Sequence, residues 1–448
     1  YEKDENGQVR LTDLFRSDLE NRYIGCFWAT LRADPWTRKT LRTGLPPREA
    51  AEMTNAMQRY ARDSTRLGIP LFLAEECPHG HMAIGTTVFP TAIGRASTWN
   101  TELEERVAEI VALEARLQGG HIGYGPVLDV ARELRWSRVE EGYGEDPFLS
   151  GSMGSAYVRG LQGGNVGSGE NVIATLKHFT AYGVPEGGHN AGMAHVGVRE
   201  LLTELSYPFE MAVKAGALSL MTAYNEVDGI PCTANPFLTN QLLRDQWGFA
   251  GFVVSDLYSI DGLISQRMAA SREEAGILAL RSGVDSDLGG NCFSTDLVKA
   301  CREGRLAEAD IDRAVSRILR LKFKMGLFDN PYVKVKKAEK LIGTPGHREV
   351  AREVARQSVV LLKNENQLLP LSKEVKRVAV IGPNADNVYN QLGDYTAPQA
   401  PGSVITVLEG IRQKLPGAEV CYVKGCAVRD TLDTSIGEAC ETAKNSDV

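Results

Sequence analysis

The sequence predicts an α/β chain: a (β/α)8 barrel of the TIM type, followed by an incomplete second α/β unit. Three observations carry this. Strand-like and helix-like runs alternate over residues 1–330. Several strand runs are apolar almost throughout, as parallel strands covered on both faces must be. Most of them end in polar or charged residues, which a barrel would bring together at the carboxyl-end face of its strands.

The strand runs are residues 23–28, 70–76, 123–130, 172–179, 219–224, 252–257 and 283–288. Their polar ends are Glu75-Glu76, Asp129, Lys177-His178, Tyr224-Asn225, Ser255-Asp256, and Asp285 with Asp287. Residues 102–117 and 198–215 carry apolar residues at helical spacing. The helix at 271–281 opens with Ser271, and Glu274 three residues later completes a capping-box pattern. Strand and helix in repeated alternation favour the barrel over its main rival, a doubly wound open sheet.

Residues 312–325 read as a helix, and Asn330-Pro331 breaks the chain after it. The first domain is therefore expected over 1–332, with the charged stretch 333–347 as a linker and a second domain over 348–448. In that second domain, 348–362 reads as a helix and 377–383 as a buried strand stopping at Gly382-Pro383. A strand and helix follow over 403–414, then a strand at 419–424. The chain stops after a helix that leads into another strand, so a fragment of a longer chain is expected, with Tyr1 a processed or trimmed start.

The 448 residues carry a net charge of −7, with 43% hydrophobic and 24% charged residues, which excludes a disordered chain. No basic stretch stands out, which argues against nucleic acid or an anionic membrane as partner. No apolar run is long enough for a membrane helix. Eight cysteines are too few for a disulfide scaffold and lack zinc spacing. Cys292/Cys301 and Cys421/Cys426 are near enough in sequence to bridge, but small buried thiols are the preferred reading. The sequence has no GxxxxGK(S/T) loop, no GxGxxG between strand and helix, no HExxH and no GxSxG. This removes the common nucleotide-binding, zinc-protease and serine-hydrolase readings.

Asp256 follows an apolar strand directly. A carboxylate there can attack an electrophilic carbon, or simply cap the next helix. Lys177 and His178 are adjacent and point to opposite faces of an extended strand. They reach one ligand only where the strand ends or bulges; otherwise they are a snorkelling lysine and a core histidine. Glu76 offers a carboxylate at a strand end, suited to a two-handed hold on neighbouring sugar hydroxyls. The loop 136–147 combines Arg138 with Glu140, Glu141, Glu145 and Asp146, and Gly187-Gly188-His189-Asn190 is a flexible loop with two polar side chains.

Ten stretches, in order, closely resemble glycoside hydrolase family 3. They are residues 125–132 (GPVLDVAR), 135–141 (RWSRVEE), 144–147 (GEDP), 177–179 (KHF), 221–225 (MTAYN), 255–256 (SD), 283–285 (GVD), 326–328 (GLF), 358–364 (SVVLLKN) and 380–385 (VIGPNA). The resemblance implies a (β/α)8-like barrel, often irregular at its first strands, then an α/β sandwich, with the active site in the crevice between them. It implies Asp256 as catalytic nucleophile. It implies Glu76, Arg138, Lys177, His178 and Tyr224 as residues gripping the non-reducing-end sugar, with Met221 lining the same pocket. Asp129 would support the loop carrying Arg138, and His189 would also touch substrate. Lys177 and Arg138 would lower the Asp256 pKa and keep it ionised.

The chain departs from the family in two places. Leu257 stands where a Trp usually follows the nucleophile, and Glu76 stands where many β-glucosidases carry Asp. The extra methylene of Glu76 would crowd the hydroxymethyl of glucose and keeps a β-xylosidase open. The continuation 179–183 (FTAYG) lacks the Pro-Gly-His run of the family's N-acetylhexosaminidases. The general acid should be a Glu beyond residue 448, or come from a segment elsewhere, such as a loop of a second subunit in a homodimer. Glu409, Glu419 and Glu438 read as structural.

The expected activity is release of β-D-glucose from the non-reducing end of short β-linked gluco-oligosaccharides or β-glucosides. It would proceed with retention through a glycosyl-aspartate, without metal or organic cofactor. The alternatives are a β-xylosidase and a non-catalytic carbohydrate-binding protein on the same fold. The substrate class suggests a periplasmic or extracellular compartment.

Overall fold

Six of the seven expected strand runs form one parallel sheet, neighbours in chain order. They are β1 (Cys26–Trp28), β2 (Phe72–Glu76), β3 (Ile122–Val127), β4 (Ile173–Phe179), β5 (Ser219–Thr222) and β6 (Phe252–Val254). The computed structural model describes residues 1–432 and 434–448. The seventh run meets β6 through a single bridge, Val254 to Ser286. The reason is local. The Asp285 carboxylate takes the Val253 N–H at 2.8 Å, and the N–H groups of both Asp285 and Ser286 point to the Val253 carbonyl. A side chain thus occupies a position a ladder bond would use. Of the eight strands expected, the described residues show six in one parallel sheet and a seventh run as a flanking bridge, an α/β arrangement.

Residues β2 to β4 are buried along their whole length. Alternation is visible in the core. Phe252 and Val254 pack with Phe72, Ile122, Tyr124 and Ile173 on one face, whereas Val253 joins Ala174, Leu176 and Leu220 against the covering helices on the other. Those helices begin where the sequence supplies caps. Asn100 accepts from Leu103 N–H at the start of Thr101–Leu117, and Asp146 accepts from Leu149 N–H ahead of Pro147–Gln162. Ser271 caps Glu274 as expected, but the Glu274 carboxylate returns to the Ala270 N–H rather than to the cap residue itself. Gly251 lets β6 start close to its neighbour: a Cβ there would sit 2.1 Å from the Leu218 carbonyl oxygen.

Three expectations change. The helix over 198–215 is broken into Val198–Glu200, a wider-pitched turn Leu201–Leu205, and Tyr207–Lys214. Pro208 has no N–H to donate and interrupts the ladder. The expected linker carries a helix, Val335–Leu341; Ala338 and Ile342 pack on Ala51 and Leu117. The helix expected over 348–362 runs instead over Pro345–Ser358, with Val350 and Val354 in the main core.

By its internal contacts the chain divides into two units. One is Tyr1–Ser358 with Tyr395–Ala397; the other is Val359–Asp394 with Pro398–Val448. The second unit has two parallel strands, β7 (Arg377–Ile381) and β8 (Glu419–Val423), around Val378, Val380, Leu408 and Leu415. The strand expected near 403 is absent. The helix Val407–Lys414 is present and starts in a full capping box of Thr406 and Glu409. All eight cysteines are free thiols, so neither Cys292/Cys301 nor Cys421/Cys426 is bridged. Cys292 is buried, but Cys426 and Cys440 are exposed, so buried thiols describe only part of the set. Among the described residues no helix is long and apolar enough to cross a membrane.

Candidate active site

Strand ends β1, β2, β4, β5 and β6 surround one cavity of about 220 Å³, lined by Trp28, Glu76, Lys177, His178, Met221 and Asp256, with Arg138 and Tyr224 from neighbouring loops. A cavity of about 150 Å³ holds a benzene ring, so this one has room for a single six-membered ring with its substituents. Trp28, Arg32, Trp36, Leu288 and Tyr395, which the sequence reading did not single out, line it too, and Leu257 is on its wall.

Asp256 is 7% exposed. Its Oδ1 accepts the Leu257 N–H at 2.6 Å. Its Oδ2 is buried without a hydrogen-bond partner among the described residues, 3.7 Å from His178 Nε2. Burial raises the carboxyl above its usual range. Arg138, Lys177 and the Tyr224 hydroxyl pull it back without cancelling that rise. The expected net lowering is therefore overturned: the cations are in place, but desolvation is larger.

Lys177 and His178 both reach the cavity because the β4–β5 register shifts between Leu176 and Phe179, the irregularity their adjacency required. Lys177 Nζ donates to Glu76 Oε2 at 3.0 Å, and Trp28 Nε1 donates to Glu76 Oε1 at 3.0 Å. Both Glu76 oxygens are thereby held. Arg138 grips Glu141 bidentately, Nε to Oε1 at 2.6 Å and Nη2 to Oε2 at 2.8 Å. Its Nη2 also reaches His178 Nε2 at 3.0 Å and the Tyr395 hydroxyl at 3.2 Å.

The Asp129 expectation is corrected. Its Oδ2 lies 2.7 Å from His178 Nδ1, and it also accepts the His178 backbone N–H, while the hold on Arg138 belongs to Glu141. A guanidinium only donates. His178 Nε2 must therefore accept from Arg138, which places the imidazole proton on Nδ1, facing Asp129. Burial lowers the His178 pKa well below its usual value and raises the Asp129 carboxyl, so the ring is neutral. His189 is exposed and is not among the lining residues; its neighbour Asn190 instead accepts from Trp136 Nε1 and the Tyr182 hydroxyl.

One group with metal-ligand spacing occurs among the described residues: Asp261, Asp287 and Cys292. Its carboxylates are engaged in part, and Asp287 Oδ1 is buried without a hydrogen-bond partner among the described residues. Arg272 pairs with Asp261 at 2.6 Å, and the N–H groups of Cys292 and Phe293 donate to Asp287 Oδ2. Glu409 closes its capping box, Glu419 pairs with Arg377 at 3.2 Å, and Glu438 is exposed.

Of the missed residues, Trp28 carried a usable signal, since it ends a strand run as Glu76 and Asp256 do. Arg32, Trp36 and Tyr395 lie on loops with no such marker.

The model of the Glycosyl hydrolase family 3 N terminal domain matches residues 33–321, and that of the C-terminal domain matches residues 359–448. A β-xylosidase of Formosa agariphila is 40% identical over 89% of this chain and 58% of its own length. A periplasmic β-glucosidase of Salmonella typhimurium is 36% identical over 83% of this chain and 49% of its own. The chain thus spans about half the length of these curated relatives. Among solved structures, a β-glucosidase from Erythrobacter marinus superposes with a TM-score of 0.84 at 36% identity, covering 90% of this chain and 57% of that one. A variant β-glucosidase from Listeria innocua in complex with laminaribiose gives 0.83 at 32% identity, over 94% and 55%.

Proposed function

The chain belongs to glycoside hydrolase family 3, and we propose that it acts as an exo-acting retaining β-glycosidase, releasing β-D-glucose from the non-reducing end of short oligosaccharides or β-glucosides. The observation that carries this is Asp256 Oδ2: a buried, unbonded carboxylate oxygen in a one-ring cavity whose other polar walls are Glu76, Arg138, Lys177 and His178. In this reading the first unit is a (β/α)8-like catalytic barrel and the second the start of an α/β sandwich.

Asp256 Oδ2 attacks the anomeric carbon as the bond to the leaving oxygen breaks, and that oxygen takes a proton from a second carboxyl group. Water then attacks the same carbon and gives its proton to that group, and the ester bond to Asp256 breaks. Glu76 and Lys177 form one hydroxyl-binding edge, and Arg138 with His178 another. Contacts that tighten as the ring flattens toward the oxocarbenium ion raise the rate. A periplasmic or extracellular setting fits such substrates.

A β-xylosidase is the second reading, and Glu76 favours it. The side chain is one methylene longer than Asp and is fixed at both ends by Trp28 and Lys177, so it cannot fold away from a hydroxymethyl group that xylose lacks. Comparing kcat/KM for aryl β-glucoside and aryl β-xyloside decides: a large preference for xyloside removes the glucose reading. Reaction with a 2-deoxy-2-fluoro glycoside should leave the label on Asp256; a label on any other residue, or none, removes the mechanism.

Asp129→Asn should cost about 10–100-fold in kcat/KM, the usual scale for a partner that orients a functional histidine. The amide would donate to Nδ1, move the ring proton to Nε2 and set it against Arg138. Steady-state kinetics at fixed pH check this; a loss under two-fold would show that the tautomer is immaterial.

A further inference from the structure

We infer that Arg116 and His121 hold a buried monatomic anion, chloride in class, at the amino end of the parallel sheet, opposite the end that carries Asp256. The two side chains come from one short stretch. Arg116 is in the last turn of Thr101–Leu117, and His121 directly precedes β3. They are 4% and 0% exposed. Arg116 Nε and Nη1 are buried without a hydrogen-bond partner among the described residues, and so is His121 Nε2. The tautomer follows from the other ring nitrogen: His121 Nδ1 accepts the Leu73 N–H at 3.1 Å, so Nε2 carries the hydrogen. Three N–H donors are thus sealed from water with no acceptor among the described residues, a costly arrangement unless a ligand accepts from them.

The charge balance points the same way. Among the described residues no carboxylate pairs with Arg116. Burial lowers its guanidinium to about 10, which still leaves it charged at neutral pH. The partly negative carbonyls at a helix end offset a fraction of such a charge, but an uncompensated buried ion costs far more than that fraction. A second cation deepens the imbalance. Lys322, 2% exposed, lies in the last turn of Glu308–Lys324. Its Nζ is 5.2 Å from the centre of the Phe72 ring, and the His121 ring is 6.1 Å from that same ring. It donates to the Gly25 and Pro70 carbonyls at 2.9 and 2.7 Å rather than to an acid. The Cys26 thiol near it is pushed up to about 11 by burial and stays neutral. Burial first, then the charges of Arg116 and Lys322, hold His121 well below its usual pKa, so the ring is a neutral donor. The cluster therefore offers donors and positive potential, which select an anion. Enclosure selects a small one, because Phe72, Leu117 and Ile122 beside these groups are core residues. An anion there ties the end of Thr101–Leu117 to the start of β3 and, through the Leu73 N–H, to β2, the strand that carries Glu76.

The test uses the full-length protein and two readouts. Urea unfolding is followed in sodium chloride and in sodium gluconate at matched ionic strength. Above the dissociation constant of the site, each ten-fold rise in chloride should lower the unfolding constant about ten-fold, and gluconate should not. Arg116→Met should abolish the chloride dependence. The second readout needs no variant and so decides even if that one fails to fold. Crystals grown in sodium bromide and measured at the bromine edge should show an anomalous peak within hydrogen-bond reach of the Arg116 guanidinium and His121 Nε2. No peak at that place overturns the site. A peak with no chloride effect on unfolding shows an adventitious ion only and overturns it too, as does a chloride effect that Arg116→Met leaves intact. Neither readout involves turnover, so failure here is separate from failure of the glycosidase reading.

Discussion

Asp256→Ala should lower kcat by about ten-thousand-fold, the scale seen when a group that acts directly on the reacting atom is removed. Sugar affinity should survive, because Glu76, Arg138, Lys177 and His178 are held by one another and by Trp28, Glu141 and Asp129 rather than by Asp256. The cavity left by the missing carboxylate also gives a positive control. Azide added with an activated aryl glycoside should enter that space and attack the anomeric carbon. Aryl oxide departs and an α-glycosyl azide accumulates, with its configuration inverted. Turnover within ten-fold of the parent would sink the assignment; loss without azide rescue would leave Asp256 a structural residue.

The largest effect on stability should come from a buried ion pair. Arg95 and Glu104 are each about 1% exposed. Arg95 donates to both Glu104 oxygens at 3.1 and 2.8 Å, and to the carbonyls of Pro90 and Pro78 at 2.7 and 3.0 Å. The Tyr143 hydroxyl donates to Glu104 at 2.6 Å. These bonds pin both ends of the loop that follows β2 and so fix the strand carrying Glu76. Glu104→Gln leaves the guanidinium buried without its counter-charge and should cost roughly 3–5 kcal/mol, read as a drop in the urea midpoint. The double variant Arg95→Met/Glu104→Leu should cost less than either single change, since no lone charge stays behind. A single variant as stable as the parent would show that the pair is solvated in solution.

Much of this was legible in the sequence because strand periodicity and polar strand ends are local signals. Asp256, Glu76, Lys177 and His178 each terminate an apolar run, and each lines the cavity. Charge concealed the helix Val335–Leu341: lysines surround Ala338, whose burial depends on Ala51 and Leu117, far away in sequence. Asp129 was legible as a site residue, but not its partner, because only the β3–β4 register, with Val127 opposite Lys177, brings it to His178. Tyr395 had no local signal, since its meeting with Arg138 is a long-range contact. The direction of the Asp256 shift is not legible in the sequence for a related reason: neighbouring cations can be read from motifs, whereas desolvation depends on everything packed around the carboxylate.

The pocket draws its walls from positions as far apart as Trp28 and Tyr395, and no contiguous piece of the chain contains it. Occupancy and structural integrity are therefore thermodynamically linked. A tight inhibitor at a hundred times its dissociation constant would hold the strand tips together by about 2.7 kcal/mol. Conversely, fraying at any one strand tip would be felt first as weakened affinity, before unfolding could be seen.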